Sequence, residues 1–301
     1  MEQEFFTTRE LAELLRIRER KVYDLVATGE VPCTRATGKL LFPRAGVMQW
    51  IASKEEGGAS LQPNALVSDR SKPRSAVVLG SHDPLLEWAL RESGAGLAML
   101  FDSSQDGLDR FARREGVVTG LHLLDGASHQ WNRPQVEHQF ANEAVVLVEF
   151  ARRQRGLIVA PGAAKTISGL ADLKHEVLVS RQPGAGSQAL LLQLIAQAGL
   201  HTDDFILGDI ARSEADAAML VSNGNAAGAL GLQSLAHQYR LDFVPLLEER
   251  YDLLVDRKAW FDEPLQRFFG FCQSDRFRHK ANEYQGYDVS ECGRVWFNSS
   301  C

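Results

Sequence analysis

The stretch EVLVSRQPGAGSQALLLQLIAQAG (176–199) decides how the chain folds. EVLVS (176–180) is a short apolar run, and SQALLLQLIAQAG (187–199) is a longer amphipathic one, so a strand passes through a glycine turn into a helix. The turn looks like a phosphate-cradling loop. QPGAGSQ nevertheless lacks the lysine of a Walker-type loop, and GAGS is too short for the G-x-G-x-x-G dinucleotide fingerprint. A helix start remains, with unpaired N–H groups and the positive end of a dipole, which suits an anion without requiring a nucleotide.

The same rhythm runs outward in both directions. SAVVLG (75–80), GLAMLF (96–101), GVVTGLHLL (116–124), AVVLVEF (144–150) and GLIVA (156–160) are short apolar runs. DPLLEWALRES (83–93) and GLDRFARREG (107–116) are amphipathic stretches between them. Strands alternating with helices predict parallel α/β units. Ligands of open parallel sheets sit beyond the carboxyl ends of the strands, here the turns after VVLG, LAMLF and VLVS. Each turn carries hydroxyls at an expected helix start: Ser81, then Ser103 and Ser104, then Ser187. Taken singly, each serine reads first as a helix cap; the threefold recurrence points to one anion-binding cleft.

Hydrophobic residues make up 45% and charged residues 24% of the 301 positions, ordinary values for a soluble globular chain long enough for two domains. No apolar run reaches the roughly 18 residues of a membrane span, and MEQEFFTTRELAELL lacks the layout of a signal peptide, so a cytoplasmic protein is expected. Cys33, Cys272, Cys292 and Cys301 are scattered without metal-ligand spacing, which reads as reduced thiols and no metal site.

Charge divides the chain. Between residues 5 and 54 lie nine cations (Arg9, Arg16, Arg18, Arg20, Lys21, Arg35, Lys39, Arg44, Lys54) and five acids (Glu10, Glu13, Glu19, Asp24, Glu30). That segment is +4 in a chain of net charge −6, leaving −10 elsewhere. A basic module on an acidic body implies different partners for the two parts. The Ser-, Gly- and Pro-rich stretch 55–73 reads as the linker between them.

In the basic module Thr7 or Thr8 is placed to cap a helix bearing Leu11, Ala12, Leu14 and Leu15. A break near Arg16–Arg18 precedes a second helix with Val22, Leu25 and Val26 inward, which together describe a helix-turn-helix. VPCTRATGKLLFP then reads as a hairpin wing with Thr37-Gly38 at its tip, and Val47, Trp50 and Ile51 as the buried side of a closing helix. The pattern T-x-x-E-L-A-x-x-L, V-Y-x-L-x-x-x-G-x-x-P and the later F and W resemble the excisionase type of MerR-like winged helix-turn-helix over nearly all of 5–52. The resemblance implies that Arg18, Arg20, Lys21 and Tyr23 face double-stranded DNA, with Arg35 and Lys39 on the wing.

For the body, the order GSHDPLLEWAL, SSQDGL, GLHLLDG, RRQRGLIVAPG, SGLADL, VSRQPGAGSQALLLQLI, LDFVPLLEERYDLLV and GYDVSECG resembles molybdate- and tungstate-type members of the type II periplasmic-binding-protein fold. More closely it is similar to the cytoplasmic form fused to helix-turn-helix regulators and to molybdopterin-biosynthesis proteins, over about 73–301. This implies an α/β fold class: a winged helix-turn-helix domain (1–54), a linker (55–73) and a two-lobed ligand-binding domain (74–301). Lobe one would take about 74–155 and 246–301, and lobe two about 162–240, with crossings in GLIVAP (156–161) and 241–255. Ligand-contact candidates are Ser81, His82, Ser103, Ser104, Arg181, Gly186, Ser187, Gln188 and Tyr251. His122 reads as a core histidine and Asn132 as a turn residue.

Two departures from the resembled pattern bear on the ligand. Where relatives carry R-Q-x-G-S-G-T-R, this chain ends in Ser187-Gln188, losing a cation, and FDSSQDGL places Asp102 and Asp106 near the cleft. No G-x-S-x-G, H-E-x-x-H or G-x-x-x-x-G-K-[ST] motif is present, so no catalytic residues and no enzyme are expected. The expected protein is a homo-oligomeric, most simply dimeric, ligand-responsive transcription regulator. Its cleft would take molybdate, tungstate or a molybdenum-cofactor-related molecule, with no other cofactor. The alternatives are a non-regulatory ligand-binding or molybdopterin-pathway protein, and a sensor of another small metabolite.

Overall fold

The computed structural model describes residues 5–15, 17–27, 31–34, 40–44, 46–47, 73–182 and 184–300. Contacts between residues divide the chain into two compact units, Met1–Ala65 and Leu66–Cys301. Arg35, Lys39, Trp50 and Ile51 lie outside the described residues, as do the turn 37–38 and all but the last residue of the expected linker.

In the first unit, β1 (Phe5–Thr7) leads directly into α1 (Thr8–Leu15), and α2 (Glu19–Ala27) follows. β2 (Leu41–Pro43) returns to pair antiparallel with β1. Thr7 caps α1: its hydroxyl oxygen accepts from the Glu10 backbone N–H (3.3 Å), while the Glu10 carboxylate accepts from the Thr7 backbone N–H (2.7 Å). This reciprocal pair is a capping box. Leu11, Ala12, Val22, Val31, Phe42 and Val47 form the buried core of the unit.

The second unit begins with the alternation read from the sequence: β3 (Val77–Ser81), α3 (Pro84–Glu92), β4 (Ala98–Asp102), α4 (Ser104–Ala112), β5 (Val118–Leu121) and α5 (Arg133–Phe140). Next come β6 (Val145–Val159), β7 (Val177–Arg181), α6 (Gly186–Gln197), β8 (Ile206–Ala211), α7 (Glu214–Ser222), β9 (Gly228–Leu232) and α8 (Gln233–Gln238). β10 (Asp242–Asp256), α9 (Glu263–Cys272), α10 (Asp275–Glu283), β11 (Tyr287–Asp288) and β12 (Val295–Asn298) complete it.

The strands order as β4-β3-β5-β10-β6-β9-β7-β8, with β11 and β12 also on β6. β4, β3 and β5 are mutually parallel at one end, and β9, β7 and β8 at the other. Each parallel set is covered on both faces, as buried parallel sheets require. In lobe one, α3, α9 and α10 cover one face around Leu86 and Phe268, and α4 and α5 cover the other around Phe111 and Phe140. In lobe two, α6 covers one face, and α7 and α8 the other.

One expectation is corrected. AVVLVEF and GLIVA, read as two strands, are the ends of a single fifteen-residue strand, β6, and the polar ARRQR between them continues it. β10 is equally long and runs antiparallel to β6 along its length. These two strands are the crossings between the lobes. The outgoing one therefore starts well before Gly156, because buried carboxylates neutralise Arg153 and Arg155.

α4 sits unusually close to the sheet. A Cβ on Gly107 would lie 2.4 Å from the Gly80 Cα, and one on Gly80 would lie 2.3 Å from the Gly120 carbonyl oxygen. Gly80 also has φ +91°, in the region that favours glycine. This close approach brings Ser104, at the start of α4, beside Ser81 at the end of β3. Gly80→Ala is therefore expected to cost about 2 kcal/mol or more in urea unfolding of the second unit; an unchanged midpoint would contradict this packing.

Candidate functional site

On the first unit, Arg18, Arg20, Lys21 and Tyr23 are all exposed, on α2 or the turn just before it. The buried Val22, between Lys21 and Tyr23, fixes which face of α2 turns outward. Two cations on the second helix of a helix-turn-helix, Arg20 and Lys21, and Arg18 just before it match the charge a phosphate backbone requires.

On the second unit, a cavity of about 680 Å³ opens between the lobes. Ser81, His82, Phe101, Asp102 and His122 form the lobe-one wall. Arg181, Gln182, Ala185, Gly186, Ser187, Ile210, Arg212, Ser213 and Glu214 form the lobe-two wall. The lobes meet at its edge. The Gln182 amide lies 3.4 Å from an Asp102 carboxylate oxygen, and Gly186 packs so tightly on His122 that a Cβ there would be 2.8 Å from the ring Cε1.

Of the candidates, Ser81, His82, Arg181, Gly186 and Ser187 line this cavity. Ser103, Ser104, Gln188 and Tyr251 do not. Ser103 caps α4 by accepting from the Asp106 N–H at 3.1 Å. Ser104, wholly buried behind the wall, shares a 2.8 Å hydrogen bond with Ser81 Oγ and accepts from the His122 N–H. Gln188 folds back so that its side-chain oxygen accepts from the Arg181 N–H at 2.7 Å. Tyr251 is buried with its hydroxyl donating to the Ser81 carbonyl at 2.5 Å. Two of the three helix starts are already capped, α3 by Asp83 and α4 by Ser103, whereas α6 has no side-chain cap.

A chain of alternating charges runs from one lobe to the other and reaches the cavity wall at Arg181 and Glu214. Asp83 accepts from Tyr287 Oη (2.5 Å) and from Arg153 Nη1 (2.7 Å). Arg153 also pairs with Glu249 on β10, and Arg155 Nε lies 3.0 Å from the same carboxylate. Arg155 then donates two hydrogen bonds of 2.9 Å to Glu214 on α7. Glu214 finally accepts from Arg181 Nη1 at 3.0 Å and from Ser187 Oγ at 2.8 Å. Every charged member is at least nine-tenths buried.

The environment sets the charges. Burial favours the neutral form of Glu214, but Arg155 and Arg181 overcome it and hold the carboxyl at about 2. Glu249 is likewise lowered, burial being outweighed by Arg153 and Arg155. Burial dominates at His122 and lowers its pKa, so the imidazole is neutral at pH 7. Its Nδ1 lies 3.0 Å from Glu249. An ionised carboxylate can only accept, so the proton is assigned to Nδ1, leaving Nε2 as an acceptor.

Arg181 and Ser187, expected to receive an anion, are thus committed within the protein. Arg181 Nε donates to the Ala211 carbonyl (2.9 Å), Nη2 to the Arg212 carbonyl (3.3 Å), and Nη1 to Glu214 and Ser187. The Ser187 proton goes to Glu214. Formal charges on the wall cancel, Arg181 and Arg212 against Asp102 and Glu214. Reading the sequence missed Glu214, Glu249, Arg153 and Arg155; the one available signal was a polar ARRQR between two apolar runs of strand character. His122, taken as a core histidine, is both buried and on the cavity wall. Asn132 is buried too, its side chain accepting from the Leu123 N–H and donating to Asp252.

Among the described residues no group of three or more His, Cys, Asp and Glu side chains could hold a metal ion, and no helix is long and apolar enough to cross a membrane.

A family model described as a PBP superfamily domain matches residues 86–273, and one described as a helix-turn-helix domain matches residues 5–55. The chain is 28% identical to the uncharacterized protein YvgK of Bacillus subtilis over 96% of its own length and 97% of that protein's. It is 29% identical over 79 residues to an uncharacterized Clostridium pasteurianum protein from the 5′ region of a 2Fe-2S ferredoxin gene, covering 26% of this chain and 70% of that one. Among solved structures it resembles a protein of Clostridium perfringens described as a phosphate ABC transporter substrate-binding protein, with phosphate bound. That match has a TM-score of 0.52 at 12% identity over 71% of this chain and 98% of that one, a likeness of fold.

The charge chain sets an acid limit. Glu214 falls from 4.5 to about 2 on folding, so its contribution is complete above pH 4.5 and drains as the pH drops through about 2. Glu214→Gln is expected to lower stability at pH 7 by about 3 kcal/mol and to flatten the acid-side loss in urea melts; an unaltered pH profile would contradict the pairing.

Proposed function

This chain belongs to the PBP superfamily domain family, and on that premise we propose that it is a cytoplasmic, ligand-responsive transcription regulator. The observation that carries the reading is a polar cavity walled by both lobes, in a chain whose other unit is a helix-turn-helix with exposed cations on its second helix. Substrate-binding and DNA-binding modules joined in one chain have a direct use: the occupied cleft changes how the chain engages DNA. That coupling requires the ligand to prefer one lobe arrangement over the other. β6 and β10, the crossings through which the lobes move, are where such a preference would act.

For the ligand we favour an anion that also carries neutral polar groups. The wall has no net formal charge, the uncapped start of α6 attracts negative charge, and His122 offers an acceptor. A bare tetrahedral dianion such as molybdate or tungstate would use a small part of about 680 Å³ and would meet Asp102 and Glu214. A molybdenum-cofactor-like pterin, with ring donors and a phosphate, suits the mixture better.

Thermal-shift and equilibrium-dialysis screens of molybdate, tungstate, phosphate and pterin phosphates, followed by gel shifts with the DNA upstream of the gene, test this reading. Saturable binding by at least one anion and a change in DNA affinity on adding it are expected. Absence of both, alongside turnover of any screened compound, would favour an enzyme.

Two sets of variants separate the functions. Ser81→Ala with Ser187→Ala should abolish the ligand response with DNA affinity intact. Arg20→Ala should weaken DNA binding and reduce the salt slope by about one, with ligand affinity unchanged. Gly186→Ala, whose Cβ would collide with His122, should hold the lobes apart and lower ligand affinity at least tenfold by calorimetry while DNA binding persists. Loss of DNA binding in the serine or glycine variants would mean those residues serve folding alone.

A further inference from the structure

Among the described residues, five of the eleven exposed large hydrophobic side chains lie along one rim of the second unit. Ile206, Leu207 and Ile210 are on β8, Leu192 is on α6 and Met219 is on α7. β8 is the last strand of the sheet order, so its outer edge presents unpaired backbone groups. Proteins ordinarily blunt such edges with charge, proline or a covering element, and contiguous apolar surface of this kind marks an interaction site. Within Ile206–Ala211 the one charge is Asp209.

The strand is shaped for a partner on that side. Against β7, Leu178 faces Leu207 but Ser180 faces Ile210, so β8 carries an extra residue at Gly208–Asp209. The bulge turns Leu207 and Ile210, three positions apart, to the same side. There they line, with Leu123, Ala189 and Leu192, an apolar groove of about 670 Å³.

We propose that this rim is a dimer interface, in which β8 pairs antiparallel with β8 of a second copy. The two ends of the strand differ in charge: Asp203 and Asp204 precede it and Arg212 follows it, with Asp203 and Arg212 exposed. A two-fold axis at right angles to the strands sets each acidic end beside the other copy's Arg212, so the attraction occurs twice, whereas parallel pairing would set like charges together. An axis through Gly208 places Ile206 of one copy opposite Ile210 of the other, and no side chain stands at the crossing point. A two-fold interface must be self-complementary in this way. Ile210 and Arg212 also belong to the cleft wall, so pairing and cleft occupancy share residues. The proposal is independent of the ligand's identity.

Light scattering of the full chain at micromolar concentrations should give twice the monomer mass. Ile206→Lys with Leu207→Asp, neither on the cleft wall, should give a monomer that still melts in one cooperative transition. Arg212→Asp, which sets like charges together at both ends of the paired strands, should weaken the dimer about tenfold. A monomeric wild type, a dimer that survives the Ile206/Leu207 change, or an Arg212→Asp chain that pairs as tightly as the wild type would each overturn the proposal.

Discussion

Two arginines buried on one strand govern the second unit. Moving a charge out of water costs several kcal/mol even after relaxation, so Arg153 and Arg155 can sit in β6 only where carboxylates meet them. Glu249 supplies the first from the neighbouring strand and lies directly opposite Arg153 in the β6–β10 register. Register irregularities flank this position, between Pro245 and Leu247 and between Tyr251 and Asp252. Apolar patterning is weakest here, and the charge pairs determine which residues face one another. Asp83 anchors the chain in lobe one and Glu214 anchors it in lobe two. Replacing such a network with apolar groups can be neutral or even stabilising, whereas removing one member leaves an unpaired buried charge. Its value therefore lies in fixing where the two crossings sit.

The same chain shapes the cleft. Glu214 occupies the donors, Ser187 and Arg181, that an incoming anion would otherwise use, and so acts as an internal anion at the start of α6. A ligand must share these donors or shift Glu214, and any shift reaches Arg155 and then Glu249 on the crossing strands. This is a physical route from cleft occupancy to lobe geometry, built from arginines that each meet two carboxylates.

How much was legible in the sequence follows the range of the interactions. The strand–helix rhythm of lobe one, the helix pair of the first unit and the Thr7 cap rest on local spacing, and local spacing is visible in a sequence. Ser81 and Ser187 could be placed at a cleft because strand ends and helix starts are local too. Ser103 and Ser104 could not be told apart: one caps its helix and the other reaches across to Ser81, and that choice depends on how closely α4 packs on Gly80. The continuity of β6 was hidden because ARRQR looks like a loop until Glu249, 94 residues beyond Arg155, and Glu214, 59 residues beyond it, are brought beside it. Tyr251, expected among the ligand contacts, is packed beneath Arg153, whose guanidinium carbon stands 4.3 Å over its ring.

If the cleft and the DNA-facing helix act as one device, binding at one must alter binding at the other by the same factor. The direct measurement is the dissociation constant of a cleft-saturating anion, taken on the free chain and on the chain saturated with its operator DNA. A severalfold difference, equal to the change the anion produces in operator affinity, is the predicted result. Identical constants in the two states would contradict the account, leaving a ligand-binding domain and a DNA-binding domain that share a chain without communicating.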